Sequence, residues 1–152
     1  MPRRRLVGII GASVASPNGA RTAFRVGELL AERGVTIVCG GLGGIMEAVC
    51  RGAVSAGGET VGILPGAEAN SANPYVTLPI VTNMGHARNV VIAHTAEVLI
   101  AIEGELGTLS EVAIALKNGR RVITINSWDK IPGVETAVDA ETAVRSAMKS
   151  LE

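Results

Sequence analysis

Short, continuous apolar runs alternate with stretches of helical periodicity from one end of this chain to the other. Leu6–Ile10, Val35–Cys39, Thr60–Leu64, Glu97–Ile102 and Arg121–Ile125 read as strands, and Val76–Val81 as a weaker one interrupted by Pro79. Between them, Ala20–Arg33 places Phe24, Leu29 and Leu30 on a shared helical face and stops at Gly34. Gly44–Ala56 is a second helix, ended by Gly57-Gly58. Gly85–Thr95 is a third, and Thr108–Asn118, followed by Gly119, a fourth. Asp139 is placed to cap a terminal helix over Ala140–Leu151, and the polar stretch Ala67–Tyr75 reads as a loop.

Strands of four to six apolar residues separated by helices imply a parallel sheet covered on both faces. The expected fold is therefore α/β, a doubly wound, Rossmann-like parallel sheet, in one domain over residues 1–152 with no linker or internal repeat. Ligands of such sheets bind beyond the carboxyl ends of the strands, near the point where strand order reverses. Three glycine-bearing loops should emerge there: Gly11–Ser16, Gly40–Gly44 and Gly104–Thr108.

Composition narrows the partners. Lys+Arg and Asp+Glu are both 14, so the formal net charge is zero, and a broad nucleic-acid footprint, which needs a basic face, is not expected. Aromatics are only 2% (Phe24, Tyr75 and Trp128), too few for base-stacking platforms. The apolar run after the basic start Met1–Arg5 is short and glycine-broken, unlike a signal peptide, and no apolar run reaches the roughly 18 residues of a membrane span. Cys39 and Cys50 fit neither a zinc pattern nor a redox Cys-x-x-Cys; they read as buried small hydrophobes of a chain kept in a reducing, cytoplasmic setting.

The 19 glycines carry the chemistry. A glycine turn lets a ligand approach the main chain, and a helix N-terminus offers free N–H groups and the positive end of a dipole, so the pair makes an anion site. Gly40–Gly44 lacks the Gly-Lys-Ser/Thr end of a Walker loop and fits the dinucleotide fingerprint only loosely, since Met46 follows Gly41-Leu42-Gly43 where a glycine is needed. Glu47, in the following first turn, is a ligand contact or simply a solvated carboxylate. Gly107-Thr108-Leu109-Ser110-Glu111 has two readings. One is a capping box with Thr108 as N-cap and Glu111 three residues in; the other is a phosphate loop followed by a carboxylate that acts as anionic stabiliser or base. Arg88 is a surface arginine or a forked donor to phosphate, and Asn89 a ligand partner or a turn cap. His86 and His94 have no metal-ligand spacing and no nucleophile beside them, and no metal site is expected.

Taken in order, Gly41-x-Gly43-Gly44-Ile45-Met46-Glu47, Val61-Gly62-Ile63-Leu64-Pro65, Arg88-Asn89 and Gly104-x-x-Gly107-Thr108-x-x-Glu111 resemble the Lonely Guy-like superfamily of Rossmann-like proteins, over nearly the whole chain from Val7 to about Ile125. Members often carry a lysine decarboxylase label, but no pyridoxal-lysine context is visible here. The resemblance implies a catalytic pair, Arg88 and Glu111. It also implies a phosphate and ligand site of Gly11, Ser13, Gly41, Gly43, Gly44, Met46, Glu47, Asn89, Gly104, Gly107 and Thr108. The hydrolase branch cleaves nucleoside 5′-monophosphates to free base and ribose 5-phosphate. This chain departs from that branch: Glu103 stands where proline is expected, Glu105 where a second glycine is expected, Asn89 in place of lysine and Glu47 in place of glycine. It looks closer to a branch of small proteins that includes molybdenum-cofactor carriers.

Two functions follow as expectations. The first is a cytoplasmic binder of a phosphorylated small molecule, a nucleotide or a pterin-type cofactor such as molybdenum cofactor, with or without weak hydrolase activity and with no cofactor required. The second is a true nucleoside 5′-monophosphate phosphoribohydrolase, with Glu111 stabilising the oxocarbenium-like centre or activating water and Arg88 holding the substrate. Val90–Ala93 is apolar around most of a turn, and superfamily members associate through helices, so a homodimer or a dimer-based tetramer is expected.

Overall fold

The apolar runs pair side by side. A computed structural model describes residues 2–152; Met1, the first residue of the basic start, lies outside them. The strands are β1 (Leu6–Gly11), β2 (Thr36–Cys39), β3 (Thr60–Leu64), β4 (Leu78–Val81), β5 (Val98–Ile102), β6 (Arg121–Ile125) and β7 (Glu135–Thr136). All pair in parallel, in the order β4-β3-β2-β1-β5-β6-β7. Strand order reverses between β1 and β5, where Gly11 lies opposite Ile102 at the carboxyl ends.

The helices are α1 (Pro17–Glu32), α2 (Ile45–Ser55), α3 (Arg88–Thr95), α4 (Leu106–Lys117) and α5 (Ala140–Lys149). Side-chain alternation along the strands sorts the core into two layers. Val7, Ile9, Ile37, Ile100 and Ile123 pack with α1, α2 and α5. Ile10, Val38, Leu99 and Val122 point the other way, onto Ile92 of α3 and Val112 of α4. This is the expected doubly wound sheet with helices on both faces.

Several boundaries move. α1 starts at Pro17, earlier than the Gly/Ser/Pro/Asn composition suggested, because Ser16 is an N-cap: its Oγ accepts from the Gly19 N–H at 2.9 Å. The third helical stretch splits into a 3-10 turn at Gly85–Ala87 and α3 proper. A second 3-10 turn, Ala69–Ser71, lies inside the expected loop. The weak strand contracts to Leu78–Val81 on the sheet's edge, where a proline is tolerated. The two-residue β7 carries no apolar pattern and is visible only in the structure. Asp139 caps α5 as expected, accepting from the Thr142 N–H at 2.8 Å. Cys39 and Cys50 are buried free thiols with their sulfurs 3.6 Å apart.

Candidate ligand-binding site

The Thr108/Glu111 capping box does not form. Gly104, at φ +103°, turns the chain just after β5, so α4 begins at Leu106 and its N-cap is Glu105, which makes no side-chain cap. Thr108 therefore sits inside the first turn, its Oγ1 folded over Gly104, where a Cβ would come within 2.2 Å of it. Glu111 lies a turn further in, out of reach of any reciprocal exchange. The first N–H groups of α4 are consequently left without a capping side chain.

Those groups border a cavity of about 820 Å³ at the carboxyl edge of the sheet, a size typical of small-molecule sites. It gathers most of the residues singled out in the sequence. Gly11 and Ser13 come from the loop after β1, and Gly104, Gly107 and Thr108 from the loop and first turn after β5. Met46 comes from α2, Arg88 and Asn89 from the start of α3, and Glu111 from α4. Gly41, Gly43, Gly44 and Glu47 do not line it. Gly41 and Gly44 shape the turn behind the wall, at φ +75° and +66°. A Cβ on Gly44 would meet the Ala12 carbonyl at 2.3 Å, so this glycine lets the turn pack against the β1 loop. Glu47 is exposed to solvent in the first turn of α2.

Arg88 is fixed in place by the chain. Its Nε donates to the Ile63 carbonyl at 2.8 Å, one Nη to the Gly40 carbonyl at 3.4 Å and the other to Asn89 Oδ1. Gly40 must be a glycine for this, since a Cβ there would lie 2.6 Å from the guanidinium. Asn89 Nδ2 donates in turn to Ser110 Oγ at 3.3 Å, joining α3 to α4.

Glu111 is different in kind. It is only 8% exposed, borders the cavity, and forms no ion pair with Arg88. Burial raises its carboxyl from the usual 4.5 to about 8, against the opposing pull of the Arg88 charge. At neutral pH it is therefore mostly the protonated acid, able both to donate and to accept a hydrogen bond. Burial also lowers the Arg88 pKa, and the nearby Glu111 charge works against that shift.

Sequence reasoning missed three contributors. His86 lines the cavity from the 3-10 turn before α3, and Leu42 from the glycine turn. Trp128, beyond β6, holds the far side of the loop: its indole N–H donates to the Glu105 carbonyl at 3.0 Å. Only the late position of Trp128, one strand after the glycine loop, hinted that it could reach that loop.

Comparison with known proteins agrees with the fold. A family model described as the SLOG cluster4 family matches residues 4–151. An uncharacterized protein of Archaeoglobus fulgidus is 44% identical over 144 residues, covering 95% of each chain. A rice protein (Oryza sativa subsp. japonica) named "Probable cytokinin riboside 5′-monophosphate phosphoribohydrolase" is 34% identical over 93 residues, 59% of this chain and 38% of the rice protein. Among solved structures, the molybdenum cofactor binding protein from Rippkaea orientalis superimposes with a TM-score of 0.94 at 32% identity, over 100% of both chains. The Moco carrier protein from Chlamydomonas reinhardtii gives 0.89 at 29% identity, over 98% of both.

Proposed function

Since the chain belongs to the SLOG cluster4 family, we propose that it is a binding protein for a pterin-type cofactor bearing a phosphate, of the molybdenum-cofactor kind. The observation that carries this reading is the pairing, in one cavity, of the uncapped α4 N-terminus with the buried, unpartnered Glu111. The first takes an anion; the second, as a neutral acid, suits the N–H and N edge of a heterocycle. Backbone amides of residues 104–108, with Thr108, hold the phosphate end, while Ser13, Gly11 and the Arg88–Asn89 pair complete the wall. Held there, the cofactor would supply the metal chemistry, and the chain's part would be to bind and orient it. The likeness to two solved proteins whose names carry this ligand supports the assignment.

The test is direct. The protein is produced in a host that makes molybdenum cofactor, purified, and assayed for bound pterin by fluorescence after oxidation and for metal by mass spectrometry. Near-stoichiometric pterin supports the reading. Absence of pterin, together with no thermal stabilisation by added cofactor, overturns it.

A second reading keeps the same cavity and makes the chain a nucleoside 5′-monophosphate phosphoribohydrolase. What favours it is that Arg88 and Glu111 both border the cavity, together with the partial likeness to the rice protein. A carboxyl near pKa 8 suits protonation of the departing base as the N-glycosidic bond breaks, and the carboxylate left behind can take the proton of the water that adds at the sugar carbon. Adenine release from AMP, abolished in Glu111→Gln, would establish it.

Two further properties belong to this proposal. No helix among the described residues is long and apolar enough to cross a membrane, and a small-molecule carrier of this kind fits the cytoplasm. Val90 on α3 is 41% exposed, and Met84 and the β4 residues Leu78, Ile80 and Val81 are exposed as well, apolar side chains that a homodimer or a dimer-based tetramer would cover. A monomer by light scattering at micromolar concentration would remove that part.

A further inference from the structure

The loops after β1 and β5 lie side by side, because the last residues of the two strands, Gly11 and Ile102, are paired. Two helix N-termini, of α1 and α4, therefore open onto the same cavity wall, with Ser16 and Gly104 both lining it. Two such ends together would clamp a diphosphate. They are not equivalent, and Glu103 makes the difference.

Glu103 sits between β5 and the glycine turn with φ +56°, a left-handed conformation that a glutamate rarely adopts. That conformation sends its carboxylate across to α1. Oε1 accepts from the Ser16 N–H at 3.0 Å, and Oε2 accepts from the Ser16 hydroxyl. Gly19 in the first turn of α1 makes room, since a Cβ there would fall 2.4 Å from Oε1. The α1 N-terminus is thus occupied by an anion the chain itself carries. The α4 N-terminus has none: Glu105 makes no side-chain cap, and Glu111, 8% exposed and with no hydrogen-bond partner among the described residues, borders the same space.

We propose that Glu103 is a specificity-determining residue that fills the α1 N-terminus and restricts the cavity to ligands carrying one phosphate group, excluding diphosphates and dinucleotides. The inference rests on the anion-site reading of the α4 N-terminus given above. A ligand's second phosphate would have to share the α1 end with the Glu103 carboxylate at close range, where like charges in a partly desolvated site repel. The carboxylate therefore discriminates by repulsion, leaving the single-phosphate mode intact.

Glu103→Gly removes the carboxylate and places at φ +56° the residue that adopts it most freely, so the backbone gains rather than loses; Glu103→Gln keeps an acceptor for Ser16 and removes only the charge. Calorimetric titration of the full chain with inorganic phosphate and with pyrophosphate reads the result, with circular dichroism melting as the check on folding. The wild type should bind phosphate and gain nothing from pyrophosphate. Glu103→Gly should bind pyrophosphate at least tenfold more tightly than the wild type, with phosphate affinity shifted less than threefold, and Glu103→Gln should fall between. The inference is overturned if both folded variants bind pyrophosphate as the wild type does while still binding phosphate, or if the wild type already prefers pyrophosphate tenfold. A wild type that binds neither anion overturns the anion-site reading itself, and this inference with it.

Discussion

Arg88 donates its Nε–H to the main-chain carbonyl of Ile63 at 2.8 Å, so the first residue of α3 is tied to the carboxyl end of β3 before any ligand arrives. With its further donations to Gly40 and Asn89, the guanidinium ties strand, glycine turn and helix together. The residue that resembles a substrate-binding arginine is therefore also a structural one.

Arg88→Ala should consequently lower stability as well as function. It leaves the Ile63 and Gly40 carbonyls near the cavity without a donor, a loss of about 1–3 kcal/mol. Arg88→Lys should recover only part of it, because an ammonium cannot reproduce the fork. Urea denaturation of the three proteins measures this. An alanine variant as stable as the wild type would contradict it.

Glu111 predicts a pH dependence. The native state holds a proton at about pH 8 that the unfolded chain releases near 4.5. Between those values the folded protein binds more protons than the unfolded one, so stability falls as pH rises through the window. Below 4.5 both states are protonated and the difference vanishes. Glu111→Gln should flatten this slope and be more stable than the wild type at pH 9, by roughly 3–5 kcal/mol. Parallel denaturation curves for the two proteins from pH 4 to pH 9 would refute the assignment.

Gly107 separates stability from binding. It lies in the first turn of α4, lines the cavity, and has no atom within 4 Å of where a Cβ would stand. Gly107→Ala should therefore fold normally and gain up to about 1 kcal/mol from helix propensity. Its methyl would stand where a ligand approaches the main chain, so affinity for phosphate or cofactor should fall tenfold or more. Calorimetry beside thermal melting distinguishes the two effects.

Gly52 and Gly27 make the opposite case. A Cβ on Gly52 would lie 1.9 Å from the Phe24 carbonyl oxygen, and one on Gly27 2.2 Å from that of Val49. α1 and α2 meet backbone to backbone, on the face of the sheet away from α3 and α4. Gly52→Ala should force them apart, at a loss of about 1–3 kcal/mol or more, and lower Tm by several degrees. An unchanged Tm would mean the crossing is looser than these distances allow.

The alternation of apolar runs and helical stretches made the layered sheet legible, because strands buried on both faces leave continuous apolar segments. Thr60–Leu64 and Arg121–Ile125 match their strands residue for residue. The start of α4 was not legible. Thr-x-x-Glu is a capping pattern wherever Thr is the cap, and only the torsion of Gly104 reveals that the helix has begun earlier. β7 was invisible because two exposed polar residues carry no period. At the site, the family resemblance singled out Arg88 and Glu111, and the two border one cavity without pairing with each other. The destination of the Glu103 side chain depends on a left-handed backbone and on a glycine 84 positions earlier (103 − 19), a relation no local pattern encodes.

The turn Gly40–Leu42 has each of its successive carbonyls engaged by the chain: Gly40 accepts from Arg88, Gly41 from the Asn73 N–H at 2.9 Å, and Leu42 from Asn73 Nδ2 at 2.8 Å. No peptide in that turn has to flip or shed a competing partner when a ligand comes in. Entry should then follow simple one-step kinetics, its rate linear in ligand concentration without a plateau, and differences in affinity among ligands should appear as differences in residence time.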